Sequence, residues 1–208
     1  MSNEGIGFRT GMADASGTTA WKYDTRGRLV QETKSIIGHT SFVTSWAYNA
    51  ADRVTSMTYP SGKVVDMTYH PQGQVTSVDG DDTYLSSAVY DATGRPGVLT
   101  LDGTAITQTY TYFAWNAQNG LGRLQEILVK SGTTTRQNLQ YDNAAGNGPG
   151  YDSVGNILRI ENVQDGDVQT FTYDDLHRLS TAASTPGTNG YYPSETYEYD
   201  VRNRAKSP

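Results

Sequence analysis

Large apolar or aromatic side chains alternate with polar ones in short runs along this chain, and each run breaks at a small polar cluster. Trp21 and Tyr23, Trp46 and Tyr48, Met67 and Tyr69, Phe171 and Tyr173, and Tyr197 and Tyr199 are each spaced by two. Period two marks a strand with one buried face. After the tyrosine comes Asp24, Asn49, Asp91, Asp152, Asp174 or Asp200, and four residues after it Gly27, Gly73, Gly94 or Gly155. Asp and Asn bond their own backbone two residues on, and glycine accepts the positive φ that closes a tight turn. Leu29, Val54, Val75, Ile157 and Leu179 then open the next apolar alternation. Each copy therefore predicts strand, tight turn, strand.

The unit repeats. WKYDTRGRL from Trp21 is followed by WAYNAADRV, MTYHPQGQV and AVYDATGRP, and later by YDSVGNIL, FTYDDLHRL and YEYDVRNR. Tyr23, Tyr48, Tyr69 and Tyr90 are 25, 21 and 21 residues apart, and Tyr151, Tyr173 and Tyr199 follow at 22 and 26. The pattern loosens between the two groups. YFAWNAQNGLGRL, from Tyr112, reads as one copy with a longer loop before Arg123 and Leu124, and of the pairs Tyr141-Asp142 and Tyr151-Asp152 the second reads as the working turn. Further turns are expected at Ser61-Gly62, Asp79-Gly80, Ser131-Gly132 and Asp165-Gly166. About eight units supply roughly sixteen strands of five to eight residues. A lone hairpin is marginal in water, so the units are expected to pair edge to edge into one twisted, curling all-β antiparallel sheet. Residues 1–16 read as a lead-in that ends a preceding repeat, and residues 17–208 as the tandem array.

The repetition decides what the polar residues are for. Tyr23, Asp24, Gly27 and Arg28 could bind an anion or move a proton if they stood alone. Their counterparts are Tyr48, Asn49, Asp52 and Arg53; Tyr69 and Gly73; Tyr90, Asp91, Gly94 and Arg95; Tyr151, Asp152 and Gly155; Tyr173, Asp174 and Arg178; and Tyr199 and Asp200. A structural joint is needed once per repeat, whereas a catalytic site is not. The arginines after the turn can lay their stems over a ring and keep their heads wet.

Composition narrows the function classes. Of 208 residues, 22 are glycine and 7 proline, which disfavours long helices. A net charge of −6 with scattered Lys and Arg disfavours nucleic acid. No apolar run approaches the roughly 20 residues that span a bilayer, and MSNEGIGFRTG lacks the pattern of a secretory signal. Cysteine is absent, which removes disulfides and thiolate chemistry, and His39, His70 and His177 lack metal-ligand spacing.

Other chemistry is thin. VDGDDT and NVQDGDVQ gather carboxylates that could begin a calcium site, but Asp-Gly hairpin turns explain both. No serine lies in a G-x-S-x-G elbow and no glycine pair forms a phosphate loop. No cofactor, metal site or catalytic residue is expected. Exposed aromatics are the better candidates for binding. TYTYFAW and NGYYPSETYEY carry aromatics at both parities, and Tyr112, Trp115, Tyr191 and Tyr192 form a candidate ligand surface for carbohydrate or a protein partner. The competing reading is that this second face lines a shell or meets a loop.

The signature Tyr-Asp-x-x-Gly-Arg-Leu, present as YDTRGRL with its six variants, resembles the YD-repeat, or Rhs, family of large secreted and surface proteins. The resemblance covers nearly the whole chain. Its members include bacterial Rhs polymorphic toxins, components of insecticidal toxin complexes, and teneurins. It implies a β-ribbon that spirals into a hollow shell, enclosing a toxin polypeptide in the bacterial members. No Asp-Pro-x-Gly stretch of the kind that supports self-cleavage is present, and no variable domain follows the repeats, so the chain is expected to be a piece of a longer array. The expected function is a structural segment of a secreted or cell-surface shell, with no catalysis of its own. The alternative is an extracellular carbohydrate-binding or adhesion module. Expected partners are the rest of the array, an enclosed polypeptide, carbohydrate, and other copies joined through open sheet edges.

Overall fold

The computed structural model describes residues 5–144, 146, 148–185 and 194–200. It is all-β and antiparallel, with sixteen strands among the described residues, and their order in the sheet is their order in the chain. Two compact units are present: Met1–Ala88 with Leu101–Gly103, and Val89–Thr100 with Thr104–Pro208.

The first unit carries β1 (Gly11–Asp14), β2 (Gly17–Tyr23), β3 (Leu29–Ile36), β4 (Phe42–Tyr48), β5 (Val54–Thr58), β6 (Val64–Tyr69), β7 (Val75–Asp79) and most of β8 (Thr83–Tyr90). Trp21 stands opposite Glu32, Trp46 opposite Met57, and Met67 opposite Val78. Between those pairs and the turn, the register slips by one. Tyr23 pairs with Leu29, Tyr48 with Val54 and Tyr69 with Val75, which leaves Val30, Thr55 and Thr76 as extra residues. A bulge beside every such turn bends the strand and strengthens its right-handed twist. Twist at each joint is what a curling ribbon requires. β2 begins at Gly17, with φ 153°, where a Cβ would lie 1.9 Å from the Ser35 carbonyl oxygen. Only glycine fits there.

The second unit carries most of β9 (Pro96–Leu101), and β10 (Ile106–Tyr112), β11 (Leu124–Ser131), β12 (Thr134–Gln140), β13 (Arg159–Asn162), β14 (Asp167–Tyr173), β15 (Leu179–Thr185) and β16 (Glu195–Thr196). The same slip recurs, pairing Tyr112 with Leu124 and Tyr173 with Leu179. Between β12 and β13 the chain makes an excursion. Its first arm is a small hairpin in which Asp142 bridges Pro149, and its second is the Tyr151 turn, where Tyr151 bridges Ile157.

The alternation expected from the sequence is present. Trp21 and Tyr23 are half-buried while Ala20 and Lys22 are exposed, and Phe171 and Tyr173 are half-buried while Thr170 and Thr172 are exposed. On the wetter side, cross-strand hydroxyls meet directly: Thr68 and Ser77 at 2.6 Å, Thr172 and Thr181 at 2.6 Å. Buried apolar residues are few, namely Ala88, Phe113, Tyr151 and Ala182, and no large side chain is fully enclosed among the described residues. Packing is lateral, ring beside ring along one face. That places most of the tertiary specificity on the joints.

Candidate functional site

The joint at Tyr23 shows the geometry. The Asp24 N–H donates to the Arg28 carbonyl at 3.0 Å, and the Gly27 N–H donates back to the Asp24 carbonyl at 3.0 Å. One carboxylate oxygen of Asp24 accepts from the backbone N–H groups of Arg26 and Arg28, at 2.9 and 3.0 Å. The other accepts from Arg28 Nε at 2.7 Å and Nη2 at 2.6 Å. Both oxygens are used within one turn. Two guanidinium donors converging on one carboxylate oxygen make a strong charge-assisted pairing.

Arg28 then reaches forward. Its guanidinium lies over the Tyr48 ring, 4.7 Å from the centroid, and Nη1 donates to the Asn49 carbonyl at 3.0 Å and to Asp52 at 2.8 Å. Tyr48 reaches back, its hydroxyl donating to the Leu29 carbonyl at 2.6 Å. This joint is tied to its neighbour by a cation over a ring and by a phenol on a carbonyl. The tie recurs with Arg53 over Tyr69, Arg95 over Tyr112, Arg123 over Tyr151 and Arg178 over Tyr199. The phenol bonds recur from Tyr69 to Val54, Tyr112 to Pro96, Tyr151 to Leu124, Tyr173 to Ile157 and Tyr199 to Leu179. Upstream, Tyr23 donates to the Arg9 carbonyl and stacks on Phe8 at 4.9 Å, so the lead-in takes the place of an earlier joint.

The copies vary around this plan. The fourth position after the tyrosine is left-handed in six copies: Gly27, Gly73, Gly94 and Gly155, but also Asp52 at φ 61° and His177 at φ 59°. Asp91 and Arg95 repeat the Asp24–Arg28 pair, as do Asp174 and Arg178. Asn49 keeps the backbone bonds, accepting from Ala51 and Arg53, without the ion pair. In the Tyr69 joint Gln74 replaces the arginine, and its amide oxygen is buried without a hydrogen bond. Asp152 binds the Asn156 amide at 2.7 Å. Tyr90 closes β8 immediately before Asp91. Asp200 follows Tyr199 as the last described residue. Tyr141-Asp142 is not a working turn, because Asp142 goes to Arg159 instead, at 2.7 Å.

These contacts shift ionisation in one consistent direction. The Arg28 guanidinium holds Asp24 below the usual carboxylate range, and Arg178 does the same for Asp174. Asp91 is held low chiefly by the Thr93 hydroxyl. Burial pushes Asp152 up, but the Asn156 amide and backbone N–H groups outweigh it. Burial raises Tyr48, Tyr112 and Tyr173, and pushes Tyr151 up to about 12. A carboxylate saturated by donors is a poor base, and a phenol already committed to a carbonyl is a poor nucleophile. The geometry suits fastening.

The candidate ligand surface divides. Tyr112 sits in the joint series, with Arg95 4.0 Å from its centroid. Trp115, in the longer loop, is 62% exposed, and Arg95 also lies 4.9 Å from its ring. Tyr191 and Tyr192 lie outside the described residues. In the two acidic turns, Asp79 accepts from the Thr83 hydroxyl and Asp165 from the Asn162 amide. Among the described residues no group of three or more metal-ligating side chains converges.

Sequence reasoning missed three things: the bulges beside the Tyr23, Tyr48, Tyr69, Tyr112 and Tyr173 turns, the phenol bond back to the preceding copy, and the joint geometry of the turn it placed at Ser61-Gly62, which runs from Tyr59 to Lys63 on the opposite edge. The third left a signal, since TYPSGKV carries the glycine and the basic residue at the spacing of YDTRGRL.

Fold and joints together define a tandem β-hairpin repeat protein. No curated protein matches the sequence. The RHS Repeat family model matches residues 48–84 and 151–189. Solved structures show the same fold. TcdB2-TccC3-Cdc42 matches at a TM-score of 0.71 and 19% identity over 93% of this chain. The Photorhabdus luminescens Tc holotoxin pore matches at 0.69 and 18% over 92%. TcdB2-TccC3 without its hypervariable C-terminal region matches at 0.65 and 16% over 96%. The chain spans 11%, 11% and 13% of the length of these three neighbours, respectively.

Proposed function

We propose that this chain is a stretch of the wall of an RHS-repeat shell that encloses or displays another polypeptide, exported to the cell surface or beyond as part of a longer array. The observation that carries this reading is the relay of joints. Asp closes its own turn, Arg where present reaches the next copy, and Tyr reaches the preceding one, so these side chains are spent on joining copies, as a wall requires. The likeness to Tc toxin structures supports it, the aligned stretch covering 11% of each of those chains. Electron microscopy of the full-length product tests it. A hollow body whose wall contains these repeats is the expected result, and a solid or fully extended particle would refute the reading.

The array also has an unfinished edge. β1 is terminal in the strand order and all four of its residues are exposed. Unpaired strand edges recruit other strands. In this chain β1 pairs with a second copy. A strictly monomeric species in light scattering at high concentration would count against that pairing.

A further inference from the structure

The turn at Tyr59–Lys63 is a joint with its acid missing. The Tyr59 N–H donates to the Lys63 carbonyl at 2.8 Å and the Gly62 N–H to the Tyr59 carbonyl at 2.9 Å, the same two bonds that close the Asp24 turn. Gly62 is left-handed at φ 87°, as Gly27 is at φ 76°. Lys63 occupies the place of Arg28 and lies over a downstream ring, its Nζ 5.0 Å from the centroid of Tyr84. But Tyr59 stands where Asp24 stands, so the cation has no carboxylate four residues back. Its ion pair is with Asp81 instead, at 3.6 Å from a side chain 70% exposed, a weak surface pairing, and its ammonium also meets the Tyr84 hydroxyl.

Beside this turn lies a groove. It is open, about 590 Å³, and lined by Tyr59, Pro60, Ser61, Lys63, Val65, Val78 and Tyr84. Tyr59 and Tyr84 are 41% and 40% exposed. A volume in this range with apolar walls and a few convergent polar groups is the usual form of a binding site.

Two features select the occupant. Arg28, Arg95 and Arg178 each hold a carboxylate at 2.6–2.7 Å, whereas Lys63 has only the exposed Asp81 at 3.6 Å, a partner that a carboxylate from outside can displace. The walls are two valines, a proline and two phenol rings, which favour an apolar side chain over a sugar whose hydroxyls would lose their partners. We propose that this groove binds an acidic peptide segment, a Glu or Asp carboxylate going to Lys63 Nζ and the adjacent apolar side chain lying between Tyr59 and Tyr84. The inference rests on the shell reading only for the peptide's source, an enclosed chain, and its test needs this chain alone.

The test is an NMR titration of the ¹⁵N-labelled full chain with a capped Gly-Leu-Glu-Leu-Gly peptide, its Gln and Lys counterparts, and digalacturonate. The expected result is saturable shifts confined to Ser61–Lys63, Val65, Val78 and Tyr84, at least tenfold weaker with the Gln peptide and absent with the Lys peptide. Lys63→Gln should lose at least tenfold in affinity and Lys63→Arg should retain binding, with both variants keeping the wild-type spectrum elsewhere. No saturable shifts, equal binding of the Glu and Gln peptides, undiminished binding by Lys63→Gln, or tighter binding of digalacturonate would each overturn the proposal. A solid particle in the microscope would leave the groove standing, and an empty groove would leave the shell.

Discussion

Replacing Tyr151 by phenylalanine removes one atom from the most enclosed joint. Tyr151 is 6% exposed, its hydroxyl donates to the Leu124 carbonyl at 2.8 Å, and its ring meets Phe113 edge-on at 6.4 Å and stacks on Tyr141 at 6.3 Å. Phenylalanine keeps the ring and both aromatic contacts, so the change isolates the phenol bond. A hydrogen bond of this kind contributes about 0.5–1.5 kcal/mol net, and leaving a buried acceptor short adds to the loss, so the expected cost is about 1–2 kcal/mol. With an unfolding entropy of roughly 2.1 cal/mol/K per residue, a loss of about 1.5 kcal/mol lowers Tm by about 3 °C if the whole chain melts together and about 6 °C if the second unit melts alone. Differential scanning calorimetry measures both the shift and the number of transitions. Tyr59→Phe, at a ring 41% exposed, is the control and should stay within about 0.5 kcal/mol of wild type. Equal Tm values for Tyr151→Phe and wild type would refute the claim that phenol-to-carbonyl bonds tie the copies together.

Three further outcomes follow from other parts of the sheet. Gly17→Ala should cost more than about 3 kcal/mol, or prevent β2 and β3 from pairing in full, because its Cβ would fall 1.9 Å from a backbone oxygen that has no free rotor to move; urea unfolding reads this directly. Asp66 lies directly opposite Asp79, a like-charge pair, so Asp66→Lys should stabilise by a few tenths to about 1 kcal/mol at low ionic strength, with the gain shrinking in 1 M salt. The aspartates Asp24, Asp91, Asp152 and Asp174 all titrate below their ordinary value when folded. Their contribution is fully present above the unfolded carboxylate value near pH ~4 and is lost as pH falls through the folded values, so circular dichroism should show acid unfolding below about pH 4, starting at higher pH in Asp91→Asn.

Most of the fold was legible because its signals are local. Period-two alternation at Trp21-x-Tyr23 and Phe171-x-Tyr173 names the strands, and Asp24 with Gly27 names the turn. The longer copy at Tyr112 was also legible, since Leu124 and Arg123 keep their order behind the loop. The bulge was not, because Val30 and Thr76 look like ordinary strand residues; their displacement comes from how five turn residues must close between paired strands. The phenol bond escaped for a related reason. Tyr48 and the Leu29 carbonyl are 19 positions apart, and a carbonyl carries no residue-type signal. The candidate ligand surface was chosen by aromatic content alone, which cannot tell Tyr112, spent under Arg95, from Tyr59, left open beside Lys63.

The variation among the copies follows from which contacts the joint can spare. Asp gives way to Asn49 and His70, the glycine to Asp52 and His177, and the arginine to Gln74 and Asn156, yet Tyr23, Tyr48, Tyr69, Tyr90, Tyr151, Tyr173 and Tyr199 never change. The turn aspartate supplies several bonds, and Asn49 retains the backbone ones when the charge is gone. A left-handed non-glycine residue costs roughly 1–2 kcal/mol, which Asp52 offsets through its ion pairs with Arg26 and Arg28. The arginine's reach can also be lost, because at Tyr173 the phenol still donates to the Ile157 carbonyl with Asn156 in the arginine's place. The tyrosine has no such stand-in. It supplies at once the ring on which a cation can rest, the lateral packing of a single-layer sheet, and the donor that reaches the preceding copy. Histidine and tryptophan offer a ring and a donor but not at the length that meets that carbonyl, and phenylalanine offers the ring alone. A single-layer ribbon has no second sheet to absorb a misplaced copy, so the residue that sets the spacing between copies is the one the chain cannot vary.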